Sequence, residues 1–277
     1  MKSSLAKSNV GNEQRRLAVL IDADNAQPSV IDGLLAEVAK YGVASVKRIY
    51  GDFTHTRMTQ WKLDLLKHSI NPVQQFAYTT GKNATDSSLI IDAMDLMYTG
   101  RFDGVCLVSS DSDFTRLAQR MREEGLTVYG FGERKTPDAF VQACDKFIYT
   151  EVLRAGAAPA VATKPPVRTA ARTASAKPQI IAQATEIATI TPSRPPVLPL
   201  PLELLNRAVE EASDEQGWAH LGTVGAYMTK IRPDFDPRLH GHKKLSDLLR
   251  HHPRHFTLEE RGGSPSGSKT IYVRALG

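Results

Sequence analysis

The sequence predicts an α/β domain, a mostly parallel sheet covered by helices, followed by a small winged helix-turn-helix domain. Three observations carry this reading. Apolar runs of strand length alternate with stretches of helical periodicity over residues 15–152. Residues 153–200 then hold too few bulky apolar side chains for a core, with no aromatic residue between Tyr149 and Trp218. Residues 201–277 read as three short helices and a hairpin, enough at about 75 residues for one small core.

In chain order, Leu17–Ile21 is a short apolar run, predicted as a strand. Val30–Ala39 has apolar residues at helical spacing and ends near Gly42, and Ser45–Tyr50 follows as a second strand. Met58–Leu66 is helical, Pro72–Phe76 is a third strand, and Ser88–Met97 is a helix closing at Gly100. Gly104–Val108 reads as a buried strand, Phe114–Arg122 as a helix closing at Gly125, and Thr127–Phe131 and Phe147–Tyr149 as the last strands. Beyond the break come helices over Leu202–Ala212, Leu221–Ile231 and Lys244–Arg250. Strands over Phe256–Glu260 and Thr270–Arg274 complete the winged pattern.

Composition narrows the function classes. The chain carries 35 Lys+Arg against 30 Asp+Glu, a net charge of +5, and this excess sits mainly in residues 151–200. Nine of the 16 prolines fall within 159–201, so that segment is expected to be a disordered, basic, Pro/Ala-rich linker. Two cysteines, Cys106 and Cys144, exclude a disulfide framework or a cysteine-rich zinc site. No apolar run is long enough to span a membrane, and Met1–Arg16 lacks the apolar stretch of a secretion signal. A cytoplasmic setting and no membrane partner are expected.

In parallel sheets the site lies outside the carboxyl ends of the strands, where strand order reverses. Asp22-Ala-Asp24-Asn25 follows the first strand, Ser109-Ser110-Asp111-Ser112-Asp113 follows the fourth, and Asp86 opens the helix after the third. If the first and fourth strands are neighbours, Asp22, Asp111 and Asp113 converge and Asp86 can reach them. Crowded carboxylates repel unless a cation sits among them. Hard Mg²⁺ or Mn²⁺ suits oxygen ligands and supports phosphoryl chemistry. Each acid has an ordinary alternative as a helix cap, worth ~1 kcal/mol. Asp92 and Asp95, further along the helix, read as solvated-face residues. Lys82, in the loop before Asp86, is either a phosphate contact or an ordinary loop lysine. Asp22-x-Asp24 also hints at a phosphatase of the haloacid dehalogenase type, but Ala26 and the lack of an evident downstream catalytic lysine weaken that reading.

LAVLIDADNA (17–26), VKRIYGDF (46–53), GKNATDSSLIIDAM (81–94) and VCLVSSDSDF (105–114) together resemble the NYN domain of the LabA type, in the PIN-like nuclease superfamily. The resemblance implies a PIN-like, Rossmann-like sheet and metal-dependent cleavage of RNA. Asp22, Asp86, Asp111 and Asp113 are the implied catalytic and metal-binding acids. Asn25 matches the Asn of the D-x-x-N element, and Ser110 sits in the matching S-x-D turn; with Lys82 these are the expected positioning residues.

The string 220–260, and above all Pro233 to Leu249 (P-x-F-D-x-R-x-x-G-x-K-K-L-S-D-L-L), is similar to the OST-HTH/LOTUS domain. That resemblance implies binding of RNA, or of a protein partner. Arg238, His240, His242, Lys243 and Lys244 form a basic cluster that either approaches a nucleic-acid backbone or is a solvated face. His242 stands where an aromatic residue is often found. The expected function is a cytoplasmic divalent-metal-dependent RNA endonuclease with a tethered RNA-binding module. The alternative is a non-catalytic RNA-binding or scaffold protein.

Overall fold

The structure is a computed structural model, and it describes residues 14–76, 84–154, 198–262 and 269–276. Lys82, the greater part of the expected linker (155–197) and the hairpin loop 263–268 lie outside the described residues.

The first domain contains six parallel strands: β1 (Arg16–Asp22), β2 (Val43–Gly51), β3 (Asn71–Gln74), β4 (Gly104–Val108), β5 (Thr127–Gly132) and β6 (Lys146–Tyr149). Their order is β3-β2-β1-β4-β5-β6. Helices α1 (Ile31–Val38), α2 (Trp61–His68), α3 (Ala84–Tyr98), α4 (Thr115–Glu123) and α5 (Asp138–Ala143) connect them. β1 pairs with β2 on one side and with β4 on the other, Leu17–Ile21 lying opposite Gly104–Val108. Its residues from Leu17 onward are all buried, the mark of a central strand covered on both faces.

Each face has its own core. Leu20, Leu107, Phe114, Phe140 and Phe147 pack on the face under α3, α4 and α5. Ile21, Ile31, Leu34, Trp61 and Phe131 pack on the face under α1 and α2. Each such side chain contributes about 1.5–3 kcal/mol on burial.

Several bounds differ from expectation. α3 begins at Ala84, a turn earlier than the apolar periodicity suggested, so Asp86 stands in its first turn. α2 is preceded by a 3-10 turn, Thr56–Gln60. α5 was not predicted; it is only six residues long, just after Pro137.

The second domain holds α6 (Leu202–Glu211), β7 (Ala219–His220), α7 (Leu221–Ile231), α8 (Leu245–Arg250), β8 (Phe256–Gly262) and β9 (Lys269–Ala275). The strands form an antiparallel sheet in the order β7-β9-β8. Leu205, Val209, Val224, Met228, Leu249, Phe256 and Val273 make its core, as the winged pattern required. Among the described residues no helix is long and apolar enough to cross a membrane.

Candidate metal centre at the switch point

Strand order reverses between β1 and β4, which opens a crevice outside their carboxyl ends. β1 ends on Asp22. The chain leaving β4 passes through Ser109–Asp111 into a 3-10 turn, Ser112–Phe114, where the Asp111 carboxylate accepts the Asp113 N–H at 2.9 Å. Asp86, Asp111 and Asp113 each offer a carboxylate oxygen, and these lie within 4.8 Å of one another.

Asp22 stands outside that trio. It is fully buried, and its carboxylate accepts from Asn25 Nδ2 at 2.7 Å, Ser109 Oγ at 2.8 Å and the Asp24 N–H at 2.9 Å. Burial pushes its pKa above the ordinary carboxylate value, against the opposing pull of those three donors. Its charge still reaches the trio. The Asp86 pKa is pushed up to about 6, first by burial and then by the negative charges of Asp22, Asp111, Asp113 and Asp24. An oxygen-only, mutually repelling donor set of this kind fits a hard divalent cation such as Mg²⁺ or Mn²⁺.

The expected positioning residues are placed differently from one another. Asn25 orients Asp22. The Ser110 hydroxyl is buried and accepts the Glu133 N–H at 2.8 Å, which ties the β4 loop to the end of β5. Ser109, which the sequence reading passed over, donates to Asp22 and accepts the Asp111 N–H at 3.1 Å. Gly132 makes room for it: a Cβ there would come within 2.6 Å of the Ser109 carbonyl oxygen. Asp92, read as a solvated residue, instead accepts from Arg48 Nη1 at 2.7 Å and Tyr50 Oη at 2.9 Å, anchoring α3 to β2. Asp95 is exposed as expected.

In the second domain, Lys243 and Lys244 are exposed at the start of α8. The His242 ring lies 4.5 Å from that of His251, and burial followed by the neighbouring histidines lowers its pKa. Arg238, expected among the RNA contacts, has other partners in the structure. Its guanidinium is engaged with Asp236 and, through Nη1, with Glu37 of α1 at 2.9 Å.

An α/β domain with an acidic cluster at its switch point, followed by a winged helix-turn-helix domain, defines a two-part architecture of the NYN and OST-HTH kind. The comparisons agree: residues 16–152 belong to the NYN domain family and residues 198–266 to the OST-HTH/LOTUS domain family. A search of curated proteins returns no match. Among solved structures, the chain is similar to an uncharacterized protein of Nitrosomonas europaea, at 40% identity over 38% of this chain and 91% of that one (TM-score 0.27). It is similar to a Vibrio parahaemolyticus protein of unknown function, at 19% identity over 50% of this chain and 94% of that one (TM-score 0.43). It is also similar to a segment of a Chromobacterium violaceum protein, at 30% identity over 27% of this chain and 77% of that one (TM-score 0.23).

Proposed function

We propose that the chain is a divalent-metal-dependent RNA endonuclease, acting in RNA processing or turnover, whose OST-HTH domain binds the RNA. The observation that carries this is the carboxylate trio Asp86, Asp111 and Asp113, with Asp22 beside it, at the switch point of an NYN domain. A protein that only bound RNA would gain nothing by turning converging anions toward an anionic ligand. Asp86, Asp111 and Asp113 would hold Mg²⁺ or Mn²⁺, with Asp22 supplying further negative charge. When bound, such an ion polarises a phosphoryl oxygen and lowers the pKa of water.

The chain's own residues do the positioning. Asn25 and Ser109 fix the Asp22 carboxylate, and Ser109 also fixes the Asp111 backbone. Ser110 acts through the Glu133 loop, and Lys82 is the proposed contact to a substrate phosphate. Lys243 and Lys244 are the proposed backbone contacts of the OST-HTH domain.

The test is degradation of RNA by the purified chain with Mn²⁺ or Mg²⁺, against EDTA and against an Asp111→Asn/Asp113→Asn variant. Cleavage lost in both controls supports the proposal. Full activity in either overturns the metal mechanism, and no cleavage across varied RNAs would leave the scaffold reading.

A further inference from the structure

The segment joining α7 to α8 is the most distinctive part of the OST-HTH signature, yet it turns toward the NYN domain. β6 is an edge strand, and an uncovered edge is a liability. Here the Phe147 N–H of β6 donates to the Pro233 carbonyl oxygen at 2.9 Å. Tyr149 Oη, two residues on, donates to Asp234 Oδ2 at 3.2 Å. At the far end of the same contact Arg238 Nη1 meets Glu37 Oε2 at 2.9 Å.

The charges alternate across the contact. Glu37 is 5% exposed, and it also takes Lys40 Nζ at 2.7 Å and Tyr41 Oη at 2.9 Å. Arg238 lies between Glu37 and Asp236. Lys146, at the start of β6, is half-buried; its ammonium lies 5.2 Å from the centre of the Tyr41 ring, and the negative charges of Asp236 and Glu37 oppose the lowering of its pKa by burial. Buried charges persist only when partnered, and these partners come from both domains.

We infer that Arg232–Arg238 is a docking element that clamps the OST-HTH domain along the β6 edge, so that the two domains form one body. Because residues 155–197 join the domains in one chain, the docking is intramolecular and favoured by high effective concentration. The module therefore does more than bind RNA. It holds Lys243 and Lys244 at a set position relative to the carboxylate trio, and RNA bound there reaches the trio along one path. Arg238 serves this joint and is unavailable to the RNA backbone. The inference does not depend on whether the chain cleaves RNA.

Hydrogen exchange of the Phe147 amide in the full chain, followed by NMR, tests it. The amide should be protected in the wild-type chain. Glu37→Ala and Arg238→Ala should each speed its exchange about tenfold, and the double variant should add little to either. Tyr149→Phe, which removes only a hydroxyl and threatens neither fold, should give a smaller acceleration. The Val19 amide of β1 should stay slow throughout, showing that the NYN domain is intact. Three results would overturn the inference: wild-type exchange at the rate of an uncovered edge amide, strictly additive effects of the two alanine changes, or protection that falls on dilution and so reports docking between two chains.

Discussion

Ser109 Oγ stands 2.8 Å from Asp22 Oδ2 and donates to it, while the same oxygen accepts the Asp111 N–H at 3.1 Å. One hydroxyl thus joins the acid that ends β1 to the loop that carries two members of the trio. Its position is set by pairing of the two central strands and by the Ser109 N–H donating to the Phe131 carbonyl at 2.9 Å.

Ser109→Ala should therefore cost more than its size suggests. It leaves a buried carboxylate short of one donor, a loss of about 1–3 kcal/mol. Urea denaturation should show that loss, and RNA cleavage should need more Mn²⁺ to reach half-maximal rate. A variant with wild-type metal demand would show that the link does not shape the site.

The pH dependence follows from Asp86, whose pKa is raised from 3.8 to about 6. Between those values the folded, metal-free chain binds a proton that the unfolded chain has released. Stability without metal should therefore fall as pH rises through this window. A divalent ion takes the place of that proton. The rise in Tm on adding Mn²⁺ should be larger near about pH 7.5 than near about pH 5. Equal rises at the two pH values would count against a metal at the trio.

Asp92 anchors the helix that begins with Asp86. Asp92→Ala would leave Arg48 and Tyr50 without their shared acceptor, at a cost of about 1–3 kcal/mol. Chemical denaturation should show it, with weaker metal binding in the thermal shift. Asp95→Ala, on an exposed position of the same helix, should stay within about 0.5 kcal/mol of wild type.

Basic residues of the OST-HTH domain should differ in their salt response. Lys243→Ala/Lys244→Ala should weaken RNA binding and reduce the slope of log affinity against log salt by about 1.5. Arg238→Ala should leave that slope unchanged, because its charge is already matched by Glu37 and Asp236. Fluorescence anisotropy over a range of salt concentrations reads both.

The central strands were legible because β1 and β4 are unbroken apolar runs, and their pairing brings the four acids to one edge; the sequence grouped Asp22 with Asp111 and Asp113, whereas the structure groups Asp86 with them and leaves Asp22 outside, held by its own donors. The choice between Ser109 and Ser110 was not legible. Successive residues at a strand end face opposite ways, so a one-residue uncertainty in where β4 stops exchanges their roles. α5 was missed because six residues are too few to show a helical period. The contact between Arg238 and Glu37 left no trace, since an ion pair between residues 201 apart has no local pattern. Asp92 was misread for the same reason: its partners, Arg48 and Tyr50, come from β2, more than 40 residues earlier in the chain.

The strand order has a consequence for synthesis. β1 is made first but cannot be enclosed until β4, whose residues lie some 87 positions later, has left the ribosome. Pairing over such a separation pays a large loop-closure cost and forms late. The carboxylates of the trio, from positions 86, 111 and 113, come together only after that event. The acidic cluster is thus a late product of folding, absent until β4 has paired with β1.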